Sequence, residues 1–507
     1  MKRRGSLSLV RHPAASPEWL SWCGVPVHIS AATTHFLLVG ITRSGKSVSG
    51  NLLLLGVLPW ISEGANIRAF IYDHKNTMLP TLSVMGVQAR VILVHPFDVR
   101  GWAWAIGRDF PNHADADELA YLLLRPEKAT QPFFETAPAQ LGGGVIRTLQ
   151  RRMPETWTLR HLVLILSDQD LLRQALLRGP EENQRLLSAY FPSRKSRMGA
   201  DVRATLFQKI MRLNIVAARM HHQAKAGRSF ALADWMESES ILVLGHASQY
   251  PEAMRGVTEA LFRRMTQLLL AQPNRPQVQT WLYLDEILRA GQLAGLENSL
   301  TLGAEKRIVH VLTLQCLADL DKFYKDGTGK VLLSQCAHKA VLGLSDPETA
   351  QWAEKLFSSE EVLFRHPSTS FSRGGGPGGA TWSQSTNENW SRVVRPVVDA
   401  GYFLTLPSPE GDPRGRIHGV CRAPSLGGEA FPFELDLSQV ARILPFPGPG
   451  DPQGFVPGDE DDNVLEPLSD DELSQLQLTR PSTAPSPVKT QKPRVVANPN
   501  NSKLDLQ

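Results

Sequence analysis

Short apolar or β-branched runs, each bounded by turn residues, recur along the chain and alternate with longer segments of helical periodicity. Such runs are typical of buried parallel strands, because a strand covered on both faces is apolar at nearly every position. The runs are FLLVG, IRAFIYD, ARVILVH, SILVLG, TWLYLDE, RIVHVLTLQ and HKAVLGL. Their alternation with helices predicts an α/β fold with a mostly parallel central sheet covered on both faces.

The pattern changes between residues 111 and 228, where the strand signal fades and leucine-rich helical segments follow one another. This change predicts an all-helical domain inserted into the sheet domain. The predicted order is an N-terminal extension, the first part of the sheet domain, the helical insertion, the second part of the sheet domain and a tail: 1–30, 31–110, 111–228, 229–445 and 446–507.

Two stretches near the C-terminus have the composition of irregular structure. Residues 372–390 are rich in Gly and Ser, which predicts a flexible loop inside the second part of the sheet domain. After about Pro445 the sequence turns to Pro, Asp and Ser, with an acidic block followed by a basic segment. This composition predicts a disordered tail.

Composition limits the class of protein. The chain has 507 residues, 42% of them hydrophobic, which is enough for two or three globular domains. It has no run of eighteen apolar residues and no secretory leader, so we expect a cytoplasmic protein without a transmembrane segment of its own. The cysteines lack paired or metal-ligand spacing, so we predict reduced thiols and no zinc site. They are Cys23, Cys316, Cys336 and Cys421.

Positive charge concentrates in one part of the helical region. Residues 191–228 contain nine Lys or Arg side chains and a single acid, Asp201, although the whole chain has a net charge of only +4. Two interpretations stay open at this point. The cations form either a solvated helix face or a surface for a polyanion such as DNA.

A phosphate-binding loop is predicted where the first apolar run ends. Residues 40–47 fit the pattern G-x-x-x-x-G-K-S between a strand and an apolar helix. The glycines let backbone N–H groups surround phosphate oxygens, Lys46 would reach the β and γ phosphates, and the Ser47 hydroxyl would bind Mg²⁺. The alternative is a chance Gly/Ser loop. The predicted nucleotide-binding residues are Gly40, Ile41, Thr42, Arg43, Ser44, Gly45, Lys46, Ser47 and Val48.

Acidic and amide side chains follow other predicted strands. In QTWLYLDE, Asp285 is the predicted second protein ligand of Mg²⁺ and Glu286 the predicted general base for an attacking water. Gln315 ends the next strand, where its amide would contact the γ-phosphate or the water. Because strand carboxyl ends line the ligand crevice of an open α/β sheet, we expect these groups to converge there with Asp73. The alternative is an ordinary strand that ends in acids.

With these residues assembled, the chain resembles the type IV secretion coupling proteins, which are ATPases of conjugative DNA transfer. IYDHKNTM is similar to the family's strand that ends in Asp-Pro-Lys-Gly, and VILVHPFDVRGWAW to its Asn-Pro-Phe-Asp segment. QPFFETAPAQL resembles the start of its helical domain, and LYLDEI, VLTLQ and LGLSDPETAQWAEKLF resemble its magnesium strand, its Gln strand and the helix that follows. The similarity runs from about Phe36 to Leu406.

The resemblance implies a RecA-like P-loop NTPase of the FtsK/HerA superfamily that binds ATP and Mg²⁺. It further implies a homo-hexameric ring that handles DNA without regard to sequence, and partners among relaxase–DNA complexes and the channel components of a secretion system. Family members usually begin with membrane-spanning helices. This chain lacks them, so attachment at the inner membrane would be peripheral and through partners.

Two further positions depart from the family pattern. The family often has an arginine about a dozen residues before the strand Gln that acts on the ATP of a neighbouring subunit. Alignment without gaps places Ala304 there, with Lys306 and Arg307 shifted onward and Arg307 only a fallback candidate. In addition, the sequence DHKN keeps Asp73 and Lys75 but changes the turn between them.

Three functions remain open from the sequence. The first is an ATP-driven coupling protein that pumps DNA or a relaxase–DNA complex into a secretion channel. The second is a soluble DNA pump of the FtsK/HerA type unconnected with secretion. The third is a recruitment protein that binds nucleotide as a switch without motor activity.

Overall fold

The computed structural model describes residues 18–126, 132–191, 197–324, 327–376, 379–424, 427 and 429–480. The strands are β1 Trp19–Trp22, β2 Val25–His28, β3 Phe36–Val39, β4 Ile67–Asp73, β5 Val91–Val94, β6 Ala103–Trp104, β7 Ser229–Phe230, β8 Ile241–Gly245, β9 Gln279–Leu284, β10 Ile308–Leu314, β11 His338–Val341, β12 Ser359–Gly376, β13 Gly379–Pro396, β14 Arg416–Arg422 and β15 Phe431–Asp436.

The helices are α1 Lys46–Leu55, α2 Met78–Val84, α3 Ile106–Asp109, α4 Asp115–Leu123, α5 Pro132–Arg152, α6 Leu159–Ser167, α7 Gln169–Arg178, α8 Glu181–Tyr190, α9 Arg197–Lys225, α10 Leu232–Met236, α11 Pro251–Ala271, α12 Leu296–Leu302, α13 Ala318–Phe323, α14 Thr328–Gln335, α15 Pro347–Leu356, α16 Ala400–Thr405, α17 Leu437–Ile443 and α18 Asp470–Leu476. No helix in the described part of the chain is long and apolar enough to cross a membrane.

The central sheet of the described chain has nine strands in the order β15-β14-β11-β3-β10-β9-β4-β8-β5. The seven strands from β11 to β5 are parallel, and β14 and β15 add an antiparallel edge. All seven apolar runs of the sequence lie in the parallel strands, which confirms the predicted α/β fold. The antiparallel edge was not predicted, because its strands alternate polar and apolar residues and resemble exposed segments.

The sheet separates two hydrophobic cores. Successive side chains of a strand point to opposite faces, so Phe36 and Leu38 of β3 join one core while Leu37 and Val39 join the other. The first core includes residues of the β1–β2 hairpin, α1 and α2. The second continues without a break into the helices between α4 and α11. Burial on both faces explains why these strands are almost wholly apolar.

All secondary structure described between residues 111 and 228 is helical. The longest of these helices, α9, has 29 residues and packs against α5, α6 and α11. Strands β6 and β7 pair in parallel through Ala103 with Ser229 and Trp104 with Phe230, so the chain leaves and re-enters the sheet region at neighbouring points. The exact domain boundaries stay a prediction.

Of the stretch predicted as a flexible loop, residues 372–376 and 379–390 instead form the outer part of a long antiparallel ribbon of β12 and β13. Its composition is that of a loop, but serine and threonine alternate with large side chains at the period of two that strands require. The prediction relied on the composition of the stretch and neglected the alternation of its side chains, and it was wrong for these residues.

The predicted disordered tail also differs from the structure over residues 446–480, which lie against the rest of the chain. Leu468, Leu473 and Leu476 are buried, and Ser469 caps α18 in a reciprocal capping box with Glu472. The leucine spacing supplies an apolar face that the overall acidic composition concealed. Residues 481–507 of the predicted tail, and residues 1–17 of the predicted N-terminal extension, lie outside the described residues.

Candidate nucleotide-binding site

The predicted phosphate-binding loop joins β3 to α1 and is held at its start by neighbouring strands. The backbone N–H of Gly40 donates to the carbonyl of Leu314 at 3.1 Å, and that of Ile41 to the carbonyl of Gly343 at 2.9 Å. The Ser44 hydroxyl donates to the Ile41 carbonyl at 2.7 Å and closes the turn. Because β10 and β11 fix the loop on both sides, its shape is set by the sheet.

Gly45 ends the loop in a conformation that other residues rarely adopt. Its φ is +99°, and a Cβ built there would lie 2.6 Å from Cγ1 of Ile417. Gly45 is also the N-cap of α1, so the free N–H groups of the first helical turn and the positive end of the helix dipole face the concave side of the loop. An anion is therefore the favoured ligand of this turn.

Lys46 is the first residue of α1 and is almost fully buried. Its Nζ lies 2.8 Å from Oε1 of Glu286, and the two side chains are 4% and 8% exposed. Nζ also donates to the carbonyls of Gly40 and Leu314. Burial lowers the pKa of Lys46, and the negative charge of Glu286 opposes that shift. The structure thus brings together two residues that lie 240 positions apart.

The two acids follow β9 directly and are held by one hydroxyl of the neighbouring strand. The Thr313 hydroxyl of β10 donates to Oδ1 of Asp285 at 3.1 Å and accepts from the backbone N–H of Glu286 at 2.8 Å. Glu286 has a left-handed backbone with φ 51°, which turns its side chain toward Lys46. Burial raises the pKa of Asp285, while the positive charge of Lys75 works against the increase.

A second lysine lies between the predicted metal ligands. Nζ of Lys75 donates to the Ser47 hydroxyl at 3.0 Å and lies 3.7 Å from Oδ2 of Asp285. A hydroxyl and a carboxylate that share one cation form a hard-oxygen donor pair, which suits Mg²⁺. No cluster of three or more His, Cys, Asp or Glu ligands occurs in the described residues, so a metal here would need oxygen ligands from phosphate and water as well.

The remaining predicted residues occupy less central positions. Asp73 ends β4 and caps α2, because its Oδ2 accepts from the backbone N–H of Met78 at 2.7 Å. Burial raises the pKa of Asp73 to about 6. Gln315 directly follows β10 and is half-buried, whereas Arg43 is exposed and pairs with Glu410 at 3.5 Å. Thr42 lies in the exposed part of the loop, and Val48 lies half-buried on α1.

Sequence reasoning missed the roles of Thr313 and Lys75. Thr313 is the one hydroxyl residue of β10, whose other residues are apolar apart from His310. The sequence shows that hydroxyl but does not indicate which acid it would reach. The sequence indicates Lys75 only as part of the turn DHKN. Its contact with Ser47 depends on how β4 lies relative to α1, which no local pattern contains.

Comparison with known proteins now decides the family. Residues 19–411 match the model of the type IV secretion-system coupling protein DNA-binding domain. The chain belongs to this family. The coupling-protein chain is also similar to solved structures of a bacterial conjugative coupling protein, TrwBdeltaN70, and of the plasmid coupling protein TrwB in complex with ADP and Mg²⁺. Comparison with curated proteins finds no match.

These structural similarities are extensive at low sequence identity. The unbound TrwBdeltaN70 form is 21% identical, with a TM-score of 0.61 over 87% of this chain and 92% of that chain. The complex with ADP and Mg²⁺ is 21% identical, with a TM-score of 0.59 over 88% and 93%. The complex with a non-hydrolysable ATP analogue is 20% identical, also with a TM-score of 0.59 over 88% and 93%. The coupling-protein chain therefore has the TrwB fold.

The fallback arginine of the coupling-protein chain is engaged locally. Arg307 precedes β10, whereas the candidate site lies beyond the other end of that strand. Its guanidinium donates to the carbonyls of Gln277 at 2.6 Å and Pro276 at 3.3 Å. A role for Arg307 on a neighbouring subunit stays a prediction.

Many cations of the basic region 191–228 contact other parts of the same chain. Lys209 pairs with Glu135 at 2.8 Å, and Lys225 with Glu466 at 2.7 Å. Arg219 is buried and donates to the side chain of Asn463 at 2.8 Å. Two of these three partners belong to the ordered C-terminal segment 446–480. Much of the local positive excess is therefore neutralised or packed within the fold, and it is less available to a polyanion than the sequence suggests.

Proposed function

We propose that this coupling-family protein binds and hydrolyses Mg-ATP and uses the energy to move DNA, or a relaxase–DNA complex, into a type IV secretion channel. The observation that carries the proposal is the buried cluster of Lys46, Asp285 and Glu286 beside the glycine-rich loop. A buried cation, two acids and a helix N-terminus are the groups that a triphosphate and its metal require.

Different residues of the site would bind the phosphates and the metal ion. Lys46 and the first turn of α1 would neutralise phosphate oxygens, and Ser47 and Asp285 would hold Mg²⁺, with Lys75 moving aside. Bound Mg²⁺ neutralises charge on the phosphate oxygens and orients them. Thr313 keeps Asp285 and the backbone of Glu286 in place throughout.

Glu286 would act as the general base. In the structure, Oε1 of its carboxylate forms an ion pair with Nζ of Lys46, 2.8 Å away. A triphosphate competes for the same ammonium group, so binding would release Glu286 to accept a proton from the attacking water. The ion pair thus links nucleotide binding to the presence of a free base. It would also keep the empty site inactive.

The structures of TrwB with ADP and Mg²⁺ and with a non-hydrolysable ATP analogue support the choice of ligand, because the present chain shares that fold. The family's description as a DNA-binding domain supports DNA as the moving substrate. A homo-hexameric ring, relaxase recognition, channel components and peripheral attachment to the inner membrane through partners belong to the same proposal. A soluble FtsK/HerA-like pump would use the same site chemistry.

A second candidate is a recruitment protein that binds nucleotide as a switch. The hydrogen bonds of Arg307 to carbonyls of its own chain favour this candidate. A motor whose subunits hydrolyse ATP in turn needs a group that reaches the nucleotide of the neighbouring subunit. The experiment is steady-state ATP hydrolysis across protein concentration, with and without DNA, beside a Lys46→Ala control. DNA-stimulated turnover that rises cooperatively with concentration supports the motor. Turnover no greater than that of the control, with nucleotide still bound, supports the switch.

A further inference from the structure

The ribbon formed by β12 and β13 extends away from the sheet with no third strand beside it in the described structure. Each strand has 18 residues, and pairing runs from Ser359 opposite Pro396 to Gly376 opposite Gly379. At about 3.4 Å per residue the ribbon is about 60 Å long. A two-stranded ribbon is marginally stable alone, so a feature of this length points to an external partner.

One face of the ribbon carries two identical cross-strand pairs of arginine and tryptophan. Arg365 lies opposite Trp390, and Arg373 lies opposite Trp382. The guanidinium carbon of Arg373 lies 5.4 Å from the ring centroid of Trp382. Directly opposed residues of an antiparallel pair share a face, and both pairs are an even number of residues apart, so they point the same way.

The aromatic rings on this face are open to solvent. Trp382 is 69% exposed, Trp390 is 59% exposed, and Phe371, on the same face, is 68% exposed. Large aromatic side chains with this exposure are costly to leave in water and mark a binding surface when they share a face.

The opposite face has a different character. It carries small polar side chains along its middle, including Ser368, Ser370, Ser385 and Asn387, and the hydroxyls of Ser370 and Ser385 lie 2.8 Å apart. The contrast between the faces is therefore built into the register. The opposite face has one exposed aromatic ring, Phe364, and its Arg395 is paired with Glu360, whereas both arginine–tryptophan pairs lie on the first face.

We propose that the aromatic face of the β12–β13 ribbon binds single-stranded DNA, with bases stacked on Trp382, Phe371 and Trp390 and phosphates beside the arginines. The proposal rests on the proposed DNA-handling function and places its contact surface on the ribbon. Base–aromatic stacking does not depend on sequence, and guanidinium groups neutralise phosphates of any strand.

The spacing of the aromatic residues favours nucleic acid over a protein or lipid surface. The two tryptophans are eight residues apart on β13, which is about 27 Å along the strand. Between them the face carries polar residues such as Thr369 and Glu388, so the apolar area is interrupted. Stacking platforms with this separation suit bases several nucleotides apart along an extended strand, whereas a bilayer or a second ribbon would favour a continuous apolar band.

This face carries three arginines, Arg365, Arg373 and Arg392, against two acids, Glu361 and Glu388, so its net charge is positive. Arg365 contacts Glu388 on the ribbon itself, whereas Arg373 and Arg392 form no ion pair with any described residue. The basic helix α9, the alternative DNA surface, has several cations committed to internal partners. The ribbon therefore presents two arginines without ion pairs beside three exposed aromatic rings, whereas α9 exposes one aromatic ring, Phe207.

The test is binding of a fluorescently labelled oligothymidylate to the full-length chain, followed by anisotropy. We expect Trp382→Ala and Trp390→Ala each to weaken binding about fivefold or more, because stacking is worth about one to three kcal/mol per base. Trp382→Phe retains a stacking surface and should keep most of the affinity. Ser370→Ala, on the opposite face, is the matched control and should leave binding unchanged.

Arg373→Ala should weaken binding and reduce its salt dependence. Because binding is measured without hydrolysis, the result is independent of whether the protein is a motor. Wild-type affinity in both tryptophan variants would overturn the proposal. So would a loss confined to binding of anionic lipid vesicles, or to self-association in sedimentation, since those outcomes assign the face to a membrane or to a second copy of the chain. Equal loss of binding to duplex DNA would also contradict it, because stacked duplex bases do not reach the rings.

Discussion

The buried ion pair between Lys46 and Glu286 makes Glu286→Gln the most informative single substitution. The two charged atoms lie 2.8 Å apart and both side chains are under 10% exposed, so water cannot replace the lost partner. Removal of one member of such a pair typically costs about 3–5 kcal/mol. Lys46 keeps two carbonyl acceptors, Gly40 and Leu314, so we expect the lower end, about 3 kcal/mol.

Nucleotide should reverse this loss. In the wild-type protein a triphosphate must displace the Glu286 carboxylate from Lys46, whereas in Glu286→Gln the ammonium group has no anionic competitor. The variant should therefore gain more stability from a non-hydrolysable Mg-ATP analogue than the wild type does, because stabilisation by a ligand follows its affinity for the folded state.

The assay is urea unfolding of both proteins with and without the analogue. Glu410→Gln provides the matched control, because it breaks the ion pair with Arg43 on the same loop, where both side chains are at least 70% exposed. That exposed pair should contribute less than about 1 kcal/mol. If Glu286→Gln costs no more than Glu410→Gln, or gains no extra stability from nucleotide, the buried pair does not couple binding to the base.

Three further outcomes are expected. Gly45→Ala should abolish nucleotide binding measured by calorimetry, because its Cβ would lie 2.6 Å from Cγ1 of Ile417 and its φ is +99°; wild-type affinity would contradict the loop geometry. Asp285→Asn should raise the Mg²⁺ concentration needed for half-maximal nucleotide binding about tenfold or more, and an unchanged Mg²⁺ titration would remove Asp285 from the metal site. Burial is the largest single influence on the pKa of Glu472 and raises it, but hydrogen bonds from His161, Arg160 and the Ser469 backbone together lower it below its usual value. This acid therefore stabilises the fold above the unfolded pKa, and that stability is lost as pH falls through the lower folded pKa. Urea midpoints between pH 7 and pH 3 should therefore fall less steeply for Glu472→Gln than for the wild type; parallel profiles would show that this contact does not titrate with folding.

The sequence predicted the parts of the fold that local physics determines. Parallel strands buried on both faces must be apolar throughout, so β3, β4, β9 and β10 are visible as runs. The turn before Lys46 requires a residue with positive φ, so Gly45 is visible as well. Asp285 and Glu286 follow such a run directly, and strand order explains why they meet the loop.

Contacts between distant segments could not be predicted in the same way. Lys75 reaches Ser47 only because β4 lies three strands from β3, the strand that leads into α1, and strand order is not a local property. The C-terminal segment 446–480 folds because Leu473 and its neighbours find a complementary surface on the helices, and an acidic composition does not reveal that surface. The ribbon was not predicted either, because each of its strands has the composition of a loop. The two strands form only by pairing with one another along their length.

Single-turnover hydrolysis of Mg-ATP by the wild type and by Glu286→Gln, each with protein in saturating excess over nucleotide, tests the central claim most directly. We expect the variant to bind nucleotide at least as tightly as the wild type and to hydrolyse it about a hundredfold or more slowly, since a positioned general base typically contributes that much. Hydrolysis at the wild-type rate in the variant would show that the acid next to Lys46 does not activate the water, and would contradict the mechanism.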